Sequence, residues 1–136
     1  MKTIEQMLIE WETASDSGEE KTFSEILDLR RALISEEYIE TINEMFMINC
    51  ELFVSSSYTR EPTRQLKANL LKELCDLVYV AVGTAVKLGL PFDEGFARVH
   101  ENNMSKLVDG KIVRAENGKI LKPKGYVKCD LSEIVK

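Results

Sequence analysis

Two acidic motifs, Glu36-Glu37-x-x-Glu40 and Glu73-x-x-Asp76, hold the residues of this chain best suited to do chemistry. Each falls in a run of helical character among apolar residues, where bare carboxylates are costly. Read together, they offer four or five carboxylates and no positive partner at helical spacing. Like charges gathered this closely need protonation or a cation. Oxygen-only donors favour a hard divalent metal, Mg²⁺ first and Mn²⁺ as the substitute.

Helical spacing decides how the two motifs present their oxygens. On a wheel of about 100° per residue, Glu36, Glu37, Glu40 and Glu44 share one arc of roughly 100°. The opposite arc holds Ile34, Tyr38, Ile39, Ile42, Met45 and Phe46. A solvated acidic face is the plain alternative. Against it, Leu29, Leu33 and Met47 flank the carboxylates, and no Lys or Arg follows them at i+4. The second motif is sharper. From Leu70 to Val86 the only charged residues are Lys72, Glu73 and Asp76. The i, i+3 spacing of Glu73 and Asp76 puts two carboxylates on one helix face.

A second group, Asn102-Asn103-Met104-Ser105-Lys106, precedes Lys111, Lys119 and Lys122. Lysines beside a carboxylate–metal centre suit phosphate oxygens, and Asn can donate and accept at a base edge. The same residues also serve as ordinary helix-end signals. His100, the single histidine, has no nucleophile context and reads as structural or surface.

These groups require helices to hold them. Ile4, Met7, Leu8 and Trp11 predict a short first helix from Thr3 to about Thr13. Ala14 to Glu20 reads as a loop. A long second helix runs from near Ser24 to about Val54, where Ser55-Ser56-Ser57 breaks the pattern. After Pro62, Thr63 caps a third helix from about Arg64 to Leu88. Gly89-Leu90-Pro91 ends it. A fourth starts near Phe92 or Asp93 and ends near Lys106. Ile112-Val113 and Ile120-Leu121, around an Asn117-Gly118 turn, predict a small hairpin; Asp109-Gly110-Lys111 reads as another turn. The expected fold is all-α and four-helix-bundle-like, with a short C-terminal β-hairpin or loop tail.

Composition sets the bounds. At 136 residues and 44% hydrophobic, the chain fits one globular domain, residues 1–136. Cys50, Cys75 and Cys129 form no C-x-x-C pair. Two of them sit in apolar helical runs, which predicts buried thiols in a reducing cytoplasm. No apolar leader follows Met1, and no run approaches the ~18 apolar residues of a membrane span. The net charge of −5 argues against nucleic acid as a partner. A phosphorylated small molecule held through a metal remains open.

The two motifs resemble the EExxE…ExxD signature of the all-α nucleoside triphosphate pyrophosphohydrolases, a group with MazG-like, dimeric dUTPase-like and phosphoribosyl-ATP pyrophosphohydrolase branches. The resemblance begins at Leu29-Arg30-Arg31-Ala32-Leu33-Ile34 and continues through Glu73-Leu74-Cys75-Asp76-Leu77-Val78-Tyr79-Val80. It extends over Gly89-Leu90-Pro91, Val99-His100-Glu101-Asn102-Asn103-Met104-Ser105-Lys106-Leu107 and Gly118-Lys119-Ile120-Leu121-Lys122, ending near Leu131. The Asn-Met-Ser-Lys segment is similar to one MazG-like branch. The 32 positions between Glu40 and Glu73 exceed the minimal MazG spacing and resemble a branch in which some members favour dUTP.

The resemblance implies hydrolysis of a (deoxy)nucleoside triphosphate to monophosphate and pyrophosphate. It implies metal ligation by Glu37, Glu40, Glu73 and Asp76, and water orientation or deprotonation by Glu36, with Glu37 beside it. Lys106 then touches phosphate, Asn103 reads base or sugar, and Arg30, Lys119 and Lys122 are further substrate contacts. It also implies a homodimer or homotetramer. Two alternatives stay open: a phosphoribosyl-ATP pyrophosphohydrolase, and a non-enzymatic helical interaction module.

Overall fold

The computed structural model describes residues 1–54 and 61–136. The break expected at Ser55-Ser56-Ser57 lies outside them. Two compact units emerge, Met1–Gly89 and Leu90–Lys136.

The first unit holds three helices: α1 (Ile4–Ala14), α2 (Phe23–Val54) and α3 (Arg64–Lys87). Local sequence sets their starts. Thr3 and Gln6 form a reciprocal capping box on α1. At α2 the Thr22 N–H and hydroxyl both donate to Glu25 Oε2 at 2.7 Å. Thr63 accepts from the Leu66 N–H at the head of α3. Both α1 and α2 pack on α3. Pairings of Arg30 with Gly83, Thr41 with Glu73 and Glu51 with Thr63 run in opposite sequence directions, so α2 and α3 are antiparallel.

The interior of this unit is small and polar. Leu8 and Val82 are its fully buried hydrophobic side chains, and Glu12, Arg30, Thr41 and Glu73 are buried with them. Within the acidic arc of α2, Glu37 and Glu44 are half-buried, while Glu36 and Glu40 stay exposed. Much of the apolar arc is left outside, with Tyr38 56%, Ile39 56% and Phe46 64% exposed. Only one edge of the acidic arc is therefore solvated. The cysteine expectation also needs correction: Cys75 is exposed, in an open apolar groove that it lines with Ile4 and Met7 of α1, and Cys50 is half-buried.

The second unit opens with α4 (Phe92–Met104), followed by an antiparallel hairpin, β1 (Leu107–Val108) and β2 (Lys111–Ile112), and a 3₁₀ turn at Ser132–Ile134. The hairpin pairs Leu107 with Ile112 and Val108 with Lys111. Its turn is Asp109-Gly110, where a turn is expected. Both central residues have positive φ, 49° and 74°, as a type I′ turn requires. Asn117 keeps a negative φ, and Gly118 alone is positive, at 80°. A second antiparallel turn closes around Asn117-Gly118, as expected: Arg114 bridges Ile120, the Leu121 N–H donates to the Val113 carbonyl at 2.8 Å, and the Gly118 N–H donates to the Ala115 carbonyl at 2.8 Å. Gly95 lets Leu131 and Ile134 approach α4 closely. Asn102 fastens the tail: its Oδ1 accepts from the Tyr126 hydroxyl at 2.7 Å and its Nδ2 donates to the Val127 carbonyl at 2.6 Å. Among the described residues no single helix is long and apolar enough to cross a membrane.

Candidate functional site

The antiparallel pairing of α2 and α3 brings the two acidic motifs together. Thr41 sets the approach. Its hydroxyl donates to the Glu37 carbonyl at 2.8 Å and lies 3.3 Å from the Glu73 carbonyl, with the residue 3% exposed. A small β-branched side chain at that point keeps the helices close. Glu37, Glu73 and Asp76 then each offer an oxygen within 4.8 Å of the other two.

Electrostatics mark Glu37 as the strained member. Its Oε2 is buried without a hydrogen-bond partner. Desolvation, followed by the charges of Glu40 and Asp76, pushes its carboxyl above the ordinary value, with Glu73 adding to the shift and Lys72 opposing it. Lys72 corrects the expectation that the acidic group lacks a cation at helical spacing. Its Nζ stands 2.9 Å from Asp76 Oδ2, one helical turn ahead, and 3.1 Å from Glu73 Oε1. Those two carboxylates hold the ammonium well above its usual pKa. With Lys72 so occupied, Glu37 still has an unpartnered oxygen. An oxygen-only donor set with an orphaned buried member fits a hard divalent cation.

Other residues singled out in the sequence fall at different places. Glu40 is exposed on α2, yet near enough for its charge to raise Glu37. Glu36 is exposed beside them. Arg30 is buried, and its guanidinium donates to Glu12 Oε1 at 2.6 Å. It lies seven residues before Glu37, about 10 Å along the α2 axis. Lys87 Nζ approaches Glu12 Oε2 at 3.6 Å. Arg30 therefore ties α1 to α2 through Glu12. In the second unit, Lys106 Nζ donates to Asn103 Oδ1 at 2.6 Å. Lys106 and Lys122 both lie over the Tyr126 ring, and Lys119 is exposed.

Sequence reasoning passed over Thr41, Lys72 and Glu12, and left Glu44 outside the site. Glu44 Oε2 is buried without a hydrogen-bond partner, one turn beyond Glu40. The i+4 relation of Thr41 to Glu37, and of Lys72 to Asp76, was the available signal. Glu12 had none, since its partner Arg30 is distant in sequence.

The fold is all-α, with three carboxylates converging between antiparallel helices, and the family match makes the chain a pyrophosphohydrolase. More narrowly, the model of the phosphoribosyl-ATP pyrophosphohydrolase family matches residues 1–103, so the chain belongs to that family and, with it, to the MazG-like all-α superfamily. The family is of the divalent-metal-dependent type. No curated protein matches the chain.

Proposed function

We propose that this protein is a Mg²⁺-dependent hydrolase of a (deoxy)nucleoside triphosphate, cleaving the α–β phosphoanhydride to yield monophosphate and pyrophosphate. Mn²⁺ is the alternative metal. The single observation that carries the reading is the unpartnered, buried oxygen of Glu37 within reach of Glu73 and Asp76. Glu37, Glu73 and Asp76 would hold the cation, and Glu40 would complete the set. The chemistry the cation supplies when bound is Lewis acidity toward phosphoryl oxygens and toward water.

The remaining roles belong to the chain's own groups. The exposed Glu36 orients the attacking water and takes its proton. Water oxygen bonds to phosphorus as the bridging P–O bond breaks, and pyrophosphate leaves with the bonding electron pair. Arg30 supports α2 from its pair with Glu12, and the expected substrate contacts Asn103, Lys106, Lys119 and Lys122 belong to the second unit.

The substrate reading is dUTP or another deoxynucleoside triphosphate. A second reading, phosphoribosyl-ATP, is favoured by the family match itself; it breaks the same bond. The interaction-module alternative gives way to membership of a hydrolase family. Residues 1–136 are read as one domain; the family match crosses Gly89 and Leu90 and ends at 103. The exposed apolar arc of α2 supports a homodimer or homotetramer. Pyrophosphate release from a panel of ribo- and deoxynucleoside triphosphates and phosphoribosyl-ATP tests the reading. Metal-dependent release names the substrate; none from any of them contradicts the proposal.

A further inference from the structure

The most buried residue of α2 is neither apolar nor a carboxylate. Thr41 is 3% exposed, whereas Ile34 and Ile48, seven residues away on either side of the same seam, are half-buried. A buried hydroxyl is costly unless it is hydrogen-bonded. Thr41 Oγ1 donates to the Glu37 carbonyl at 2.8 Å, and the Glu73 carbonyl stands 3.3 Å from the same oxygen, so the two share one proton.

Both carbonyls belong to residues whose side chains converge with Asp76. Each lies inside a helix whose own N–H groups already serve it. The hydroxyl is therefore an added link between two backbones, not the rescue of an orphaned acceptor. Asp76 follows Glu73 by three residues on the same helix and moves with it. One side chain thus ties together the two backbones from which Glu37, Glu73 and Asp76 project.

Valine at this position would keep the branch and lose the link. A methyl carbon stands about 3.3–3.6 Å from a carbonyl oxygen, against the 2.8 Å between Thr41 and Glu37. The turn carrying Glu37 would be released from its back-bond and from its tie to α3.

We propose that Thr41 is a positioning residue that fixes the spacing of Glu37 against Glu73 and Asp76, and with it the preference of the site for a small cation; this rests on the metal-carboxylate reading. Mg²⁺ demands near-ideal octahedral geometry at short distances, whereas Ca²⁺ accepts a longer and more variable oxygen shell. Carboxylates held at fixed spacing discriminate between the two ions, and loosened ones do not.

The test uses the full chain without nucleotide. Mg²⁺ and Ca²⁺ affinities are measured by calorimetry for wild type, Thr41→Val, Thr41→Ser and Thr41→Ala. Thr41→Val should weaken Mg²⁺ about tenfold, as loss of a group that orients metal ligands does, and Ca²⁺ by no more than about twofold. Thr41→Ser keeps the hydroxyl and should hold the Mg²⁺/Ca²⁺ ratio within about twofold of wild type. On the best substrate with Mg²⁺, kcat should fall in Thr41→Val and recover in Thr41→Ser. If Thr41→Val does not fold, Thr41→Ala decides on the same ratio. A residue that only packs would lower the melting temperature of Thr41→Val and leave the ratio unchanged. That result overturns the proposal alone, as does a ratio lost equally in Thr41→Ser. A wild type that binds neither cation overturns the metal reading with it.

Discussion

Lys72 Nζ lies 2.9 Å from Asp76 Oδ2, one turn along the same helix, and occupies a position on carboxylates that a metal would also claim. Because Lys72 is largely exposed, it can swing away. The ammonium and a divalent cation are therefore competitors. Lys72→Met should lower the melting temperature of the metal-free protein, by removing a positive charge that rests on two of the three carboxylates. It should also tighten apparent Mg²⁺ affinity a few-fold. Calorimetric titration checks this; weaker Mg²⁺ binding in the variant would contradict the competition.

Glu37 gives a pH dependence whose sign can be worked out. Its carboxyl is raised above the ordinary value of 4.5, first by desolvation and then by the charges of Glu40 and Asp76. The native state holds that proton more tightly than the unfolded state. Its contribution to metal-free stability is therefore fully present below pH 4.5 and lost as pH rises through the raised value. Glu25, Glu61 and Asp130 are shifted the other way, so the comparison must be with Glu37→Gln. The stability of that variant relative to wild type should grow with pH in EDTA. Mg²⁺ should reverse the order above the window, since binding needs the deprotonated form. A pH-independent difference in thermal melts would count against the assignment.

Much of this site was legible because helical periodicity is a local property. The i, i+3 spacing of Glu73 and Asp76 and the arc shared by Glu37 and Glu40 follow from about 100° per residue alone. What the wheel could not decide was which arc of α2 faces inward. Burial of Arg30, Thr41 and Glu73 in a polar interior, with Leu8 and Val82 as the only fully buried hydrophobic side chains among the described residues, depends on the partner helix. Asp109-Gly110 and Asn117-Gly118 carry the same turn signal and both turn the chain; the two-residue strands form around the first, with Leu107 opposite Ile112, and one bridge, Arg114 with Ile120, around the second.

Gly83 faces the Glu12–Arg30 pair with no room for a side chain. A Cβ there would stand 2.9 Å from Glu12 Oε1 and 3.1 Å from a guanidinium nitrogen of Arg30. Alanine gains about 1 kcal/mol in helix propensity, whereas breaking a buried ion pair costs about 3–5 kcal/mol. Gly83→Ala should therefore destabilise by about 2 kcal/mol in urea unfolding, the pair being displaced rather than lost. A more stable variant would show that Glu12 and Arg30 yield freely.

Ile39, Ile42, Met45 and Phe46 are exposed along one arc of α2. Burial of that arc against a second copy should give a solution mass at least twice the 15.5 kDa of the chain. Phe46→Glu should shift the assembly toward monomer in light scattering. A wild-type monomer at micromolar concentration would contradict the assembly reading.

The most direct test of the metal-carboxylate account is pyrophosphate release by wild type, Glu37→Gln and Glu40→Gln on the best substrate, with Mg²⁺ and with EDTA. The account predicts Mg²⁺-dependent release by wild type and a loss of at least about a hundredfold in both variants, with their helical content unchanged. Turnover by either variant equal to wild type at saturating Mg²⁺, or release that persists in EDTA, would contradict it.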